Sequence, residues 1–207
     1  LVYLVGGAIS YFGVLAMSAG MQRGPNGAVW GVAQSALIVP FICGILVFGS
    51  QATLARLAGI ACVLAGLTFY TRTKSDPSAA GAPKGQLNFS WKMFAFMAFG
   101  CFALQQTLMT TPSYFEQCRL VSSVLRTVAA ACGAFVSYSI ILLLKRKQEP
   151  IVTTIAAQWR RGRFWAYVFS LQFFGILFAY TLLYPGMDEL ARHGAGALAY
   201  PLMVASC

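Results

Sequence analysis

The sequence predicts an all-α fold: a polytopic transmembrane helix bundle. Three observations carry this. Of the 207 residues, 58% are hydrophobic and only 10% charged, with a mean hydropathy of +0.70; a soluble domain usually has about 25% charged residues. Long apolar runs recur, and the clearest, Gly27 to Phe48, is 22 residues without a charge. As a helix it would measure about 33 Å, enough to cross a hydrocarbon core. Finally, almost all the Lys and Arg residues lie between such runs. There they serve as topology signals and bind anionic headgroups, so the net charge of +10 points to a lipid bilayer and not to nucleic acid.

The elements follow in order. The first span is Val2 to Met21, where Gly6, Gly13 and Gly20 recur every seven residues and form a stripe for close helix packing. Gln22 to Asn26 is a turn, and Pro25 opens the next helix. The second span, Gly27 to Phe48, contains Pro40, which lacks a backbone donor and crowds the carbonyl of Ala36, so a kink is expected there. A turn of about five residues leads to the third span, Leu54 to Tyr70, with a second small-residue stripe of Ala55, Gly59, Cys62 and Gly66. So short a turn makes the two spans antiparallel neighbours.

Arg72 to Lys92 is a polar linker rich in Gly, Pro, Ser and Lys, and divides the chain into 1–71 and 93–207. The fourth span is Met93 to Thr110, ending near Pro112; the fifth is Val121 to Leu144, with Arg126 in its first turns. Lys145 to Arg163 is a basic connection in which Ile151 to Trp159 is a candidate interfacial helix. The sixth span, Phe164 to Leu183, is expected to break at Pro185–Gly186, and Gly194 to Cys207 begins a seventh. The start at Leu1 and the end inside an apolar run predict a piece of a longer chain.

A faint internal repeat joins the halves. Gly20-Met21 is echoed by Gly186-Met187, and Asn26-Gly27-Ala28 by His193-Gly194-Ala195. Both pairs are expected at a helix end, a short turn and the next helix start. Charge orients the chain. Connections after the first, third and fifth spans carry eleven basic residues; the alternate ones carry Arg119 and Arg192, with Arg56 just inside the third span. The first set is therefore expected in the cytoplasm.

The pattern helix, Gly-Pro-Asn-Gly turn, helix, short turn, helix from Val2 to Tyr70 resembles the later three helices of a five-helix repeat in EamA-like members of the drug/metabolite transporter superfamily. Leu54-x-Arg56-Leu57-x-Gly59-Ile60 with Leu64-Ala65-Gly66 is similar to its closing helix, and His193-Gly194-Ala195 through Tyr200-Pro201-Leu202 is similar to the fourth helix of a second repeat. The resemblance implies two five-helix inverted repeats, with about seven of ten spans in this sequence. The first two helices, the end of the ninth and the tenth would be missing. It also implies a multi-pass protein of the bacterial inner membrane. Ser50 departs from the acidic residue that many relatives carry after the glycine. A cytoplasmic start in the family would put the Lys145–Arg163 connection outside, opposite to the charge count.

Polar side chains in hydrocarbon usually face the bundle or a wet cavity. Trp30 and Gln34 share a face of the second span; Gln105 and Gln106 lie in the fourth; Gln172 and Tyr180 share a face of the sixth; Tyr200 precedes Pro201 in the seventh. These are the candidate contacts for an amphipathic solute, with the amides bonding across to neighbouring helices as the plainer alternative. Arg126 either holds an anionic solute or snorkels to the headgroups. His193, the sole histidine, reads as a helix-start cap, with a proton relay as the alternative. Pro40 and Pro201 are candidate hinges. The six cysteines have no metal or redox spacing and read as packing residues.

All five acidic residues fall in connections in this reading, and no metal, cofactor or catalytic set is expected. The expectation is a secondary transporter that moves a small organic solute by alternating access, not an enzyme. A non-transporting membrane scaffold is the alternative.

Overall fold

The computed structural model describes residues 1–50, 53–73, 90–145 and 162–198. In order these form α1 (Val2–Met21), α2 (Asn26–Gln34), a 3-10 turn at Ser35–Leu37, α3 (Ile38–Leu46), α4 (Leu54–Thr73) and α5 (Ser90–Thr110). A 3-10 turn at Thr111–Tyr114 then leads to α6 (Glu116–Arg119), α7 (Ser123–Lys145) and α8 (Gly162–Phe178). A π turn at Ala179–Leu183, α9 (Tyr184–Arg192) and a 3-10 turn at Gly196–Leu198 follow. The described residues are helical, with no strand among them.

Among the described residues four helices are long and apolar enough to cross a membrane: Val2–Met21, Asn26–Leu46, Trp91–Tyr114 and Ser123–Leu144. Leu57–Phe69 is a shorter apolar helix. Large apolar side chains such as Phe96, Phe135 and Leu143 cover the outside of the bundle. That surface suits lipid, which solvates hydrocarbon as readily as a core does.

α1 sits at the centre, packed along α5 and α7. The Gly6–Gly13–Gly20 stripe faces α5. A Cβ on Gly6 would come within 2.9 Å of Met109, and one on Gly13 within 3.0 Å of Phe102. Gly20 nestles against Val29 and Phe94. These pairings run α1 and α5 antiparallel. On the other side Tyr3 meets Arg126 and Tyr11 meets Tyr138, so α1 and α7 run parallel. Their closest approach uses two glycines outside the expected stripe. A Cβ on Gly7 would overlap the carbonyl of Ala130, and one on Gly133 the carbonyl of Leu4. With little hydrophobic drive between helices in lipid, such backbone contact is what association rests on. The second stripe behaves differently. Gly59 and Gly66 have nothing within 4 Å of an added Cβ among the described residues.

The helix of the second span changes type just ahead of its proline. It passes into a 3-10 turn at Ser35–Leu37, around the carbonyl that Pro40 crowds. The expected break at Pro185–Gly186 does not occur. The chain passes through the π turn and continues as α9, where Pro185 stands in the first turn. His193 is correspondingly not a helix-start cap. It closes the C-terminus of α9, beside Gly194 at φ +64, with Nε2 3.0 Å from Glu189 Oε1. Positive φ is where a helix-ending glycine is favoured. The candidate interfacial helix at Ile151 to Trp159, residues 74–89 of the Arg72–Lys92 linker and the seventh span beyond Leu198 lie outside the described residues, while the linker's two ends belong to α4 and α5.

Candidate functional site

The bundle has two unlike ends. Arg23 follows α1, Lys92 opens α5 and Lys145 closes α7, so basic residues gather at one end. The N-termini of α1 and α7, the C-terminus of α5, and α9 meet at the other. That second end carries the densest polar chemistry in the described residues.

Arg126 is its centre. Arg126 does not snorkel: it is 0% exposed. The reason is that the protein supplies the acceptors that headgroups would otherwise provide. Nη1 donates to Asp188 Oδ1 at 2.8 Å, Nη2 to the carbonyls of Cys118 at 3.0 Å and Arg119 at 3.1 Å, and Nε to the carbonyl of Val121 at 3.0 Å. Four of the five guanidinium N–H groups are thereby bound. Two phenol rings flank it, Tyr3 at 5.8 Å and Tyr184 at 5.9 Å, and these two rings meet edge to face at 5.8 Å. Asp188 therefore belongs to a helix and to an ion pair, not to an open connection.

Beside this pair a stacked contact closes the same end. Gly49, at φ +65, turns the chain after α3 so that Phe48 stacks on Tyr114 at 4.1 Å. The Tyr114 hydroxyl lies 3.5 Å from Ser50 Oγ, and Gly196 backs onto the Tyr114 ring. Ser50, the departure from the family pattern, is thus buried against a phenol.

The amides lie deeper. Gln106 is 5% exposed, and its Oε1 has no hydrogen-bond partner among the described residues. Tyr3 Oη and Ser113 Oγ are buried in the same unpartnered state. Such groups are uncommon, because each forfeits its hydration without replacement. Gln34 ends α2 and is half-buried, as is Gln105 on α5. The two helices pack together, yet no hydrogen bond joins Gln34, Gln105 and Gln106 to one another among the described residues. Trp30 packs against the main apolar cluster with Leu37, Phe41 and Met109. Pro40 is buried in α3. Gln172 lies on α8 and Tyr180 in the π turn. Tyr200 and Pro201 lie outside the described residues. The arrangement brings Gln34, Gln105 and Gln106 onto adjoining helices and leaves Arg126 in a separate cluster at one end.

Sequence reasoning missed Tyr3, Tyr184 and Asp188. One signal could have found Asp188. An arginine within an apolar run needs a counter-charge, and Asp188 and Glu189 are acidic residues near the next bundle helix.

No family model matches the chain, and no curated protein or solved structure matches it.

Proposed function

We propose that this protein is a secondary transporter of the EamA-like kind, moving a small organic solute across a bacterial inner membrane by alternating access. It is a carrier and not an enzyme. The observation that carries the reading is Gln106. Its buried carbonyl oxygen lacks a partner, and its helix α5 packs against α1, α2 and α3 of the other half of the chain. A buried acceptor left open between two halves fits a solute donor group. Trp30, Gln34, Gln105 and Gln106 would touch the solute from the described helices, with Gln172, Tyr180 and Tyr200 completing the set.

The inverted-repeat architecture, with seven of ten spans in this sequence, belongs to the same proposal. The expected echo does not support it: Gly20-Met21 close α1, whereas Gly186-Met187 lie in the first turn of α9, and Asn26 opens α2 whereas His193 follows the end of α9. The 3-10 turn before Pro40 and the π turn before Pro185 supply the weak points in the helices about which halves could rock. With the basic end in the cytoplasm, the Arg126–Asp188 pair and the Phe48–Tyr114 stack close the outer face. Arg126 then serves to shut a mouth of the pathway.

The test is solute flux in proteoliposomes made with the full-length protein. Gln106→Leu should reduce flux while insertion and melting stay normal. Unchanged flux would remove Gln106 from the pathway. A second reading, a non-transporting scaffold, is favoured by the open glycines of α4, which could seat a partner helix. It predicts no flux for any solute and loss of a co-purifying partner in Gly59→Leu.

A further inference from the structure

Ser113 differs from the other hydroxyls at the C-terminal end of α5. Thr107, Thr110 and Thr111 each donate back to the carbonyl four residues earlier, at 2.8, 2.6 and 2.7 Å. Ser113 is 1% exposed and makes no such bond; its Oγ has no partner among the described residues. The Tyr3 hydroxyl is in the same state, on a side chain 9% exposed. The two residues lie at one level of the bundle. Gly13 meets Phe102 and Gly6 meets Met109 across the antiparallel α1–α5 pair. Continuing that register by three residues on each helix sets Tyr3 level with Pro112, next to Ser113. Tyr3, Met109 and Met187 share the main apolar cluster, and the turn that carries Ser113 packs against α9, the helix of Met187.

We propose that Tyr3 and Ser113 hold bound water between their hydroxyls, a hydration site inside the bundle beside the Arg126–Asp188 pair. Both hydroxyls donate and accept, and burial without a partner costs each of them its hydration. Water donates and accepts as well, so one molecule serves both at once. A third partner is available. Four of the Arg126 N–H groups go to Asp188 and three carbonyls, which leaves one N–H on Nη1. About three hydrogen bonds is what a buried water typically makes.

Charge and enclosure exclude other ligands. An anion would face the Asp188 carboxylate, and a cation would face the guanidinium that lies 5.8 Å from the Tyr3 ring. A neutral ligand meets neither penalty. A large one has no way to fit, because Met109 and Met187 around Tyr3 are 4% and 1% exposed. The site does not depend on the transport reading, since two buried hydroxyls need a partner whatever the bundle does.

The experiment uses the full-length protein in detergent and three variants: Tyr3→Phe, Ser113→Ala and both together. Each substitution removes an oxygen and keeps the ring or the methylene in place. If water is bound, each single variant melts lower than the wild type, because a satisfied hydrogen bond is lost. The double variant then loses less than the sum of the two, because the hydroxyls share a ligand. If the hydroxyls are dry, removing either one relieves a buried orphan, and melting rises or stays unchanged; that overturns the inference. Strictly additive losses overturn it too, since they leave nothing shared. A second measurement needs no variant. Hydroxyl radicals made by a brief X-ray pulse arise from water, so a buried ring that touches bound water is labelled although bulk solvent is shut out. Tyr3 should be labelled well above Phe41, which is 4% exposed in the same apolar cluster and has no hydroxyl beside its ring. Tyr3 labelled no more than Phe41 would overturn the proposal, whatever the variants do.

Discussion

Arg126 and Asp188 lie 62 positions apart in the chain and meet at 2.8 Å, the arginine fully buried. Truncating the arginine removes the counter-charge of Asp188 and the donors to three backbone carbonyls. Arg126→Leu should therefore cost about 3–5 kcal/mol, read as a large fall in melting temperature in detergent. Adding Asp188→Leu to it should recover part of that loss, since no charge is then left unpaired. A double variant that melts below the single one would contradict the pairing.

Gly7 and Gly133 hold the α1–α7 seam with no room for a side chain. Gly7→Ala and Gly133→Ala each put a methyl group into backbone of the opposite helix. Overpacking of this kind typically costs about 1–3 kcal/mol. Gly59→Ala, in open space on α4, should be neutral in the same melting assay. Equal effects at all three sites would mean the seam is not as close as described.

The Phe48–Tyr114 stack separates ring from hydroxyl. Tyr114→Phe keeps the 4.1 Å stack and loses only a long 3.5 Å contact to Ser50, so melting should barely move. Tyr114→Ala removes the aromatic pair, worth about 0.5–1.5 kcal/mol beyond its buried area, and should lower melting clearly.

Much of the fold was legible in the sequence, because hydrocarbon imposes a coarse rule that length and polarity satisfy. The spans at Val2–Met21 and Met93–Thr110 and the turn beginning at Gln22, which ends one residue early because Asn26 already opens α2, follow from such rules. Helix continuation through Pro185 was not legible. A proline reads as a break unless a π turn shifts the hydrogen-bond ladder ahead of it, and that shift depends on how α9 is held. For Arg126 neither alternative, an anionic solute or the headgroups, named its actual acceptors, because these come from Cys118, Arg119, Val121 and a distant aspartate, and tertiary partners leave no local trace. The α1–α7 seam escaped for a similar reason. Gly7 lies off the seven-residue stripe, and only the parallel crossing gives it a role. For the site, Gln106 was visible as an amide in an apolar run, but whether it lacks a partner depends on the neighbouring helices.

The most direct test of a solute pathway between the halves is access to position 106. A single cysteine replaces Gln106 in a cysteine-free background, and a membrane-impermeant thiol reagent is applied from each side. The account predicts modification from one face in the otherwise wild-type protein and from the opposite face once Asp188→Asn parts the ion pair. Modification from neither face, or from the same face in both proteins, would contradict it.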